Sequence, residues 1–135
     1  MNIEIQDEWY TVEQCRQNPN KLFVYGDNMI RLGKGGQAII RDEPNAHGIA
    51  TKRLPSSNTD SFFSDKTDEA YVILNDVLDL LSLSRTEYEN FDTIVLPAAG
   101  LGTGLSEMPK RSPKLFKWLH ETISVLTGVK YTPNI

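Results

Sequence analysis

Two segments of this 135-residue chain are rich in glycine, and each follows a short apolar run of strand type. The first reads Gly26-Asp27-Asn28 and then Gly33-Lys34-Gly35-Gly36-Gln37-Ala38. The second reads Pro97-Ala98-Ala99-Gly100-Leu101-Gly102-Thr103-Gly104-Leu105. Glycine lets a backbone approach a ligand closely and adopt positive φ. The N–H groups of such loops form a site for phosphate, above all where a helix begins. Two of them in one short chain point to a ligand with two phosphates, or with a phosphate and a sugar. Neither is the Walker A pattern, and the second loop does not place its third glycine as a dinucleotide fingerprint requires.

Other groups with chemical potential are few. Lys52, Arg53, Lys110 and Arg111 supply a local basic rim. His47 borders the candidate site and His120 lies in a helical stretch, and neither has motif partners. No His or Cys cluster has metal-ligand spacing, so neither a metal nor a cofactor is expected. The single Cys15 cannot form an internal disulfide and sits in a polar, helical stretch. That predicts a reducing, cytoplasmic setting and a structural thiol.

The elements that would position these loops follow from periodicity. Asn2–Ile5 alternates as a strand does, and Leu22–Tyr25 is a continuous apolar run of buried-strand type. Thr11 caps a short helix, with Gln14 placed to reach back. Gly35–Arg41 reads as a helix and Gly48–Thr51 as a weak strand. The polar segment 54–67 is a loop or flap carrying Phe62-Phe63, rings that either tuck into the core or form an aromatic lid. Asp68–Leu83 repeats Ile73, Val77, Leu80 and Leu81 at helical spacing. Asp92–Pro97 is a strand running straight into the second glycine loop. Ser112-Pro113 starts a helix that ends at Gly128, with Ser112 as cap. Val129–Thr132 reads as a last edge strand. Strands alternating with helices predict an α/β sandwich with a mixed sheet, in one domain over 1–135. Ligands of such sheets sit outside the carboxyl ends of the strands, where both glycine loops lie.

Composition narrows the functional classes. Apolar residues make up 39% and charged residues 24%, ordinary globular values. The net charge of -4 argues against broad electrostatic binding to nucleic acid. The N-terminal residues carry acids and no apolar core, unlike a signal peptide. No run is long enough to span a bilayer.

The two loops, with Gly48-Ile49-Ala50-Thr51-Lys52-Arg53, resemble a macrodomain, the ADP-ribose-binding α/β/α module, over nearly the whole chain. The first loop is similar to the macrodomain segment beside the distal ribose, and the second to its diphosphate loop. The Thr51-Lys52 pair resembles the lysine-dependent glycohydrolase subgroup of terminal ADP-ribose protein glycohydrolase and DarG. The chain departs from the family at Tyr25-Gly26-Asp27-Asn28, where Asn-Ala-Ala-Asn is usual. It departs again at Ser106, where that subgroup carries an aspartate.

The resemblance implies a three-layer α/β/α sandwich with a mixed central sheet. Asp7 matches the position that binds the adenine amine. Gly26, Asn28, Gly35, Gly36 and Gln37 match the surroundings of the distal ribose, and Ala98, Gly100, Leu101, Gly102, Thr103, Gly104 and Leu105 the diphosphate loop. Lys52 matches the subgroup lysine, a nucleophile for the anomeric carbon, whose pKa Arg53 would lower. Glu107 or Asp27 would then move protons. Lys52 also reads as a solvated strand-end lysine, Asp27-Asn28 as a plain turn and Glu107 as a helix-dipole partner. The implied activity is ADP-ribosyl glycohydrolysis, with an ADP-ribosylated protein or nucleic acid as partner and a monomer as the working unit. The alternatives are a non-catalytic reader of ADP-ribose or a related signalling nucleotide, and a phosphatase using His47 with Asp27.

Overall fold

A computed structural model describes residues 1–83 and 91–133. Four strands, β1 (Asn2–Gln6), β2 (Lys21–Asn28), β3 (Ala46–Lys52) and β4 (Thr93–Pro97), form one sheet in the order β1-β4-β2-β3. All three pairings are parallel. The expectation of a mixed sheet is thus corrected for the described strands. Among the described residues, the only antiparallel pairing is an isolated bridge from Lys52 to Phe62. Val129–Thr132 is not a strand. Tyr131 instead inserts its ring into the core and donates its hydroxyl to Pro97 O at 2.7 Å.

Central parallel strands are covered on both faces, so they read as unbroken apolar runs. In β4 all five residues are buried. Alternate side chains leave on opposite faces. Leu22, Val24, Ile94 and Leu96 join one cluster with Ile73, Val77 and Leu80 of α2 (Thr67–Leu83) and Leu119 and Ile123 of α4 (Pro113–Thr127). Phe23, Tyr25 and Val95 join a second with Tyr10, Cys15 of α1 (Val12–Gln17), and Ala38 and Ile40 of a 3-10 helix (Gly36–Ile40).

Several local expectations change in detail. The Gly35–Arg41 helix is the 3-10 form, over Gly36–Ile40, a form used in short pieces. Thr11 caps α1 by accepting Gln14 N–H at 3.0 Å, but the Gln14 side chain pairs with Gln6 instead of closing a capping box. Ser112 does not cap α4 with its side chain. Asp65, distant in sequence, accepts Leu115 N–H at 2.9 Å in its place. Phe62 and Phe63 are 5% and 1% exposed, which answers the lid question in favour of the core. A short helix α3 (Met108–Arg111) follows the second glycine loop and was not foreseen. No described helix is long and apolar enough to cross a membrane.

Because every strand runs the same way, the segments after β1, β2, β3 and β4 leave from one edge of the sheet. That brings the two glycine loops and the Lys52 end of β3 together.

Candidate functional site: a cleft between two glycine loops

The loops meet. A cleft of about 300 Å3 is lined by Gly35, Gly36 and Gln37 from the first and by Gly100, Gly102, Thr103 and Gly104 from the second. A Cβ on Gly35 would come within 2.9 Å of Leu105 Cδ1, which measures how closely the two approach. An adjoining hollow of about 160 Å3 shares Gly26, Gly35, Leu105 and Ser106 with the cleft and is also lined by Asn28 and Lys52.

The second loop is held from behind. Its glycines at 100 and 102 take φ of +91° and +84°, and a Cβ at Gly102 would lie 2.7 Å from Met108 Cγ. Positive φ is why glycine stands there. Leu101 turns its side chain into the core, and its N–H donates to His120 Nε2 at 3.0 Å. His120 Nδ1–H donates in turn to Phe116 O at 2.7 Å. Both ring nitrogens are thus satisfied by the neutral form, and burial pushes the His120 pKa down. The first loop is tied to the β1–α1 connection by Tyr10 N–H donating to Gln37 Oε1 at 2.8 Å.

Lys52 is 8% exposed, so it is not a solvated strand-end lysine. Its ammonium donates to Ser56 O at 2.8 Å and lies 4.5 Å from the Phe62 ring centroid. Burial lowers its pKa, Glu107 raises it, and Arg111 lowers it further. The expected influence of Arg53 is corrected. Arg53 turns to α2 and pairs with Glu69 at 2.7 Å and Asp68 at 2.9 Å, and Arg111 supplies the neighbouring charge.

Asp27 lines the inner hollow but is fully engaged. Arg41 grips it bidentately at 2.5 and 2.9 Å, and Asn28 N–H donates to it at 2.8 Å. A carboxylate held this way is a strut between β2 and the first loop, not a free base. It is more than the plain turn residue considered above. Asn28 is likewise engaged by its own loop, its amide donating to Leu32 O at 2.7 Å. His47 donates from Nε2 to Asp76 O at 2.8 Å, so the His47–Asp27 pair of the phosphatase alternative does not form. Glu107 sits at φ +48°, 3.4 Å from Arg111 Nε, with its carboxylate partly exposed. Asp7 is exposed after β1, outside the residues lining the cleft. Ala98 is outside them too, its N–H donating to Gln6 O.

One lining residue went unread in the sequence. Trp9 stands at the cleft 68% exposed, and an isolated aromatic in a polar stretch gave no pattern. Thr51 and Ser106 join the floor: the Thr51 hydroxyl donates to Asp27 O at 3.1 Å, and the two hydroxyls lie 2.6 Å apart. Ser106 thus fills, with a satisfied hydroxyl, the position examined for an acid. Among the described residues, no group of three His, Cys, Asp or Glu is placed to hold a metal ion.

The fold and cleft define an α/β protein with a cleft at the carboxyl edge of a parallel sheet, lined by two glycine loops and flanked by a buried lysine. Residues 5–122 match the model of a family of unknown function, DUF7831, and the chain belongs to that family. No curated protein and no solved structure matches the chain.

Proposed function

We propose that this protein is a macrodomain-like, three-layer α/β/α module that binds ADP-ribose and hydrolyses the glycosidic bond joining it to a carrier. One observation carries the reading: both glycine loops line one cleft, and Lys52 lies at that cleft's inner extension. Backbone N–H groups at glycine loops suit a diphosphate. A cleft of about 300 Å3 with a 160 Å3 extension fits the lower range of small-ligand sites.

The chemistry asked of Lys52 needs a neutral amine, and burial moves the residue in that direction. In the proposed step Glu107 takes a proton from the Lys52 ammonium, and the freed Nζ lone pair forms a bond to the anomeric carbon. The bond to the carrier breaks with its electron pair, and the leaving atom takes the proton from Glu107. Water then bonds to the anomeric carbon as the C–Nζ bond breaks, its spare proton restores the Lys52 ammonium, and free ADP-ribose leaves.

The test is release of ADP-ribose from a modified protein or oligonucleotide. Lys52→Ala is expected to abolish release while ADP-ribose still raises the melting temperature. Turnover that survives in Lys52→Ala removes the mechanism.

A second reading has its own support. Ser106 offers a hydroxyl where the related enzymes carry an acid, and Asp27 is gripped by Arg41. Both favour a reader that binds without turnover. Calorimetry followed by recovery of the ligand separates the two, because a reader returns it intact.

A further inference from the structure

A further hollow lies outside the glycine cleft. It is a groove of about 750 Å3 whose walls carry Phe62, Phe63, Arg53, Lys66 and Arg111, with Asp60 as its one carboxylate. Arg53 is already neutralised by Asp68 and Glu69. Lys66 is exposed, and no carboxylate pairs with it among the described residues. Arg111 stacks its guanidinium carbon 3.8 Å from the Phe62 ring centroid. Its Nε is buried without a hydrogen-bond partner, Glu107 lying 3.4 Å away. A guanidinium braced on a ring loses little freedom when its planar fork meets a carboxylate.

We infer that this groove docks a short acidic peptide segment, whose carboxylates meet Arg111 and Lys66. The charge of the groove runs against that of the chain, which is -4 overall. A nucleic-acid strand fits less well. Single-strand sites combine a long cationic track with aromatic faces on which bases stack. Here only two cations are left without strong partners, and both phenylalanines are buried, with Arg111 lying on Phe62. The groove also adjoins the reacting end of the cleft, because Lys52 lies 4.5 Å from the same Phe62 ring. Under the glycohydrolase reading, on which this last link rests, the groove holds acidic residues flanking the ADP-ribosylated one in a protein carrier.

The experiment measures fluorescence anisotropy with labelled hexaglutamate, hexaglutamine and hexathymidylate, beside the thermal shift given by ADP-ribose. Hexaglutamate is expected to bind in preference to the other two. Arg111→Gln should weaken it by about tenfold or more, the loss of one charge-assisted pair. Lys66→Gln, at an exposed position that leaves folding untouched, should weaken it by a smaller factor. Lys66→Gln should leave the ADP-ribose shift unaltered. Equal binding of hexaglutamate and hexaglutamine overturns the inference, as does binding unchanged in both variants. Tighter, Arg111-dependent binding of hexathymidylate assigns the groove to nucleic acid and overturns it too. Hexaglutamate binding that needs Arg111, without any ADP-ribose shift, sustains the groove and defeats the proposed function.

Discussion

Acidification should loosen this protein through His120 before its carboxylates begin to titrate. The ring is 4% exposed, accepts Leu101 N–H and donates to Phe116 O, so the folded state holds it neutral. Its pKa is depressed below the ordinary 6.5 by burial. In the unfolded chain the same ring takes up a proton near that ordinary value. Below it the unfolded state therefore binds more protons than the folded state, and stability falls as pH falls. Above it both states are neutral and the contribution is complete. One proton at one site sets the limiting slope at about 1.4 kcal/mol per pH unit. Carboxylates contribute mainly below about pH 5, which leaves a window for the imidazole. The assay is urea unfolding at a series of pH values, wild type against His120→Gln. Glutamine keeps an acceptor for Leu101 and a donor for Phe116 but cannot titrate. Wild type should lose stability more steeply than the variant as pH drops from 6.5. Identical slopes would refute the reasoning. Because Leu101 belongs to the second glycine loop, ligand affinity should weaken over the same window.

Other perturbations follow from the same geometry. Arg41→Met strands the buried Asp27 carboxylate, with Arg31 its nearest remaining cation at 3.6 Å, and should cost about 3 kcal/mol in urea unfolding. Adding Asp27→Asn should recover part of that loss, and no recovery would mean the pair is not the cause. Gly102→Ala forces a side chain into φ +84° and against Met108, so it should lower stability by about 1–3 kcal/mol and abolish ligand binding. Gly104→Ala meets nothing within 4 Å and should leave the fold intact, as circular dichroism melts would report. Glu107→Gln should depress turnover of an ADP-ribosylated substrate while ADP-ribose affinity, read by calorimetry, stays the same. Equal losses in both would make Glu107 a binding residue.

The sheet was readable because its signal is local. Leu22–Tyr25 and Ile94–Pro97 are apolar without interruption, which is what burial on both faces demands, and turn residues bound the strands they belong to. The helix Asp68–Leu83 showed its period for the same reason, and its observed start at Thr67 differs by one residue. What escaped were relations between distant residues. Asp65 capping α4 across 50 positions, or Asp27 locked by Arg41, leaves no trace in spacing. Strand direction was equally hidden, since parallel and antiparallel partners are told apart by connections and not by composition. Convergence of the glycine loops was legible only through a rule of topology: segments that follow parallel strands share an edge. Trp9 was invisible because a lone exposed ring has no period.

The buried acids decide how far the chemistry of the cleft can be pushed. Among the described residues three carboxylates are buried: Asp27, Glu69 and Asp76. Each is bound by arginine and by backbone. Asp27 takes Arg41 and Asn28 N–H, and Glu69 takes Arg53 with the N–H groups of Ser64 and Lys66. Asp76 takes Arg31 and Ala50 N–H, the latter on an edge strand whose outer side has no neighbouring strand. Carboxylates engaged in this way by arginine and backbone are fixed in place, so none of the three can turn into the cleft without dismantling the fold around it. Glu107 differs: its Arg111 partner is 3.4 Å away, the side chain is partly open to solvent, and its charge is felt at Lys52. Any acid–base step beside Lys52 therefore runs through Glu107 or through water. The same Arg111 links that step to the groove, because a carboxylate docking on Arg111 competes with Glu107 for it. Occupation of the groove would free Glu107 toward Lys52, coupling recognition of an acidic carrier to the reacting end of the cleft.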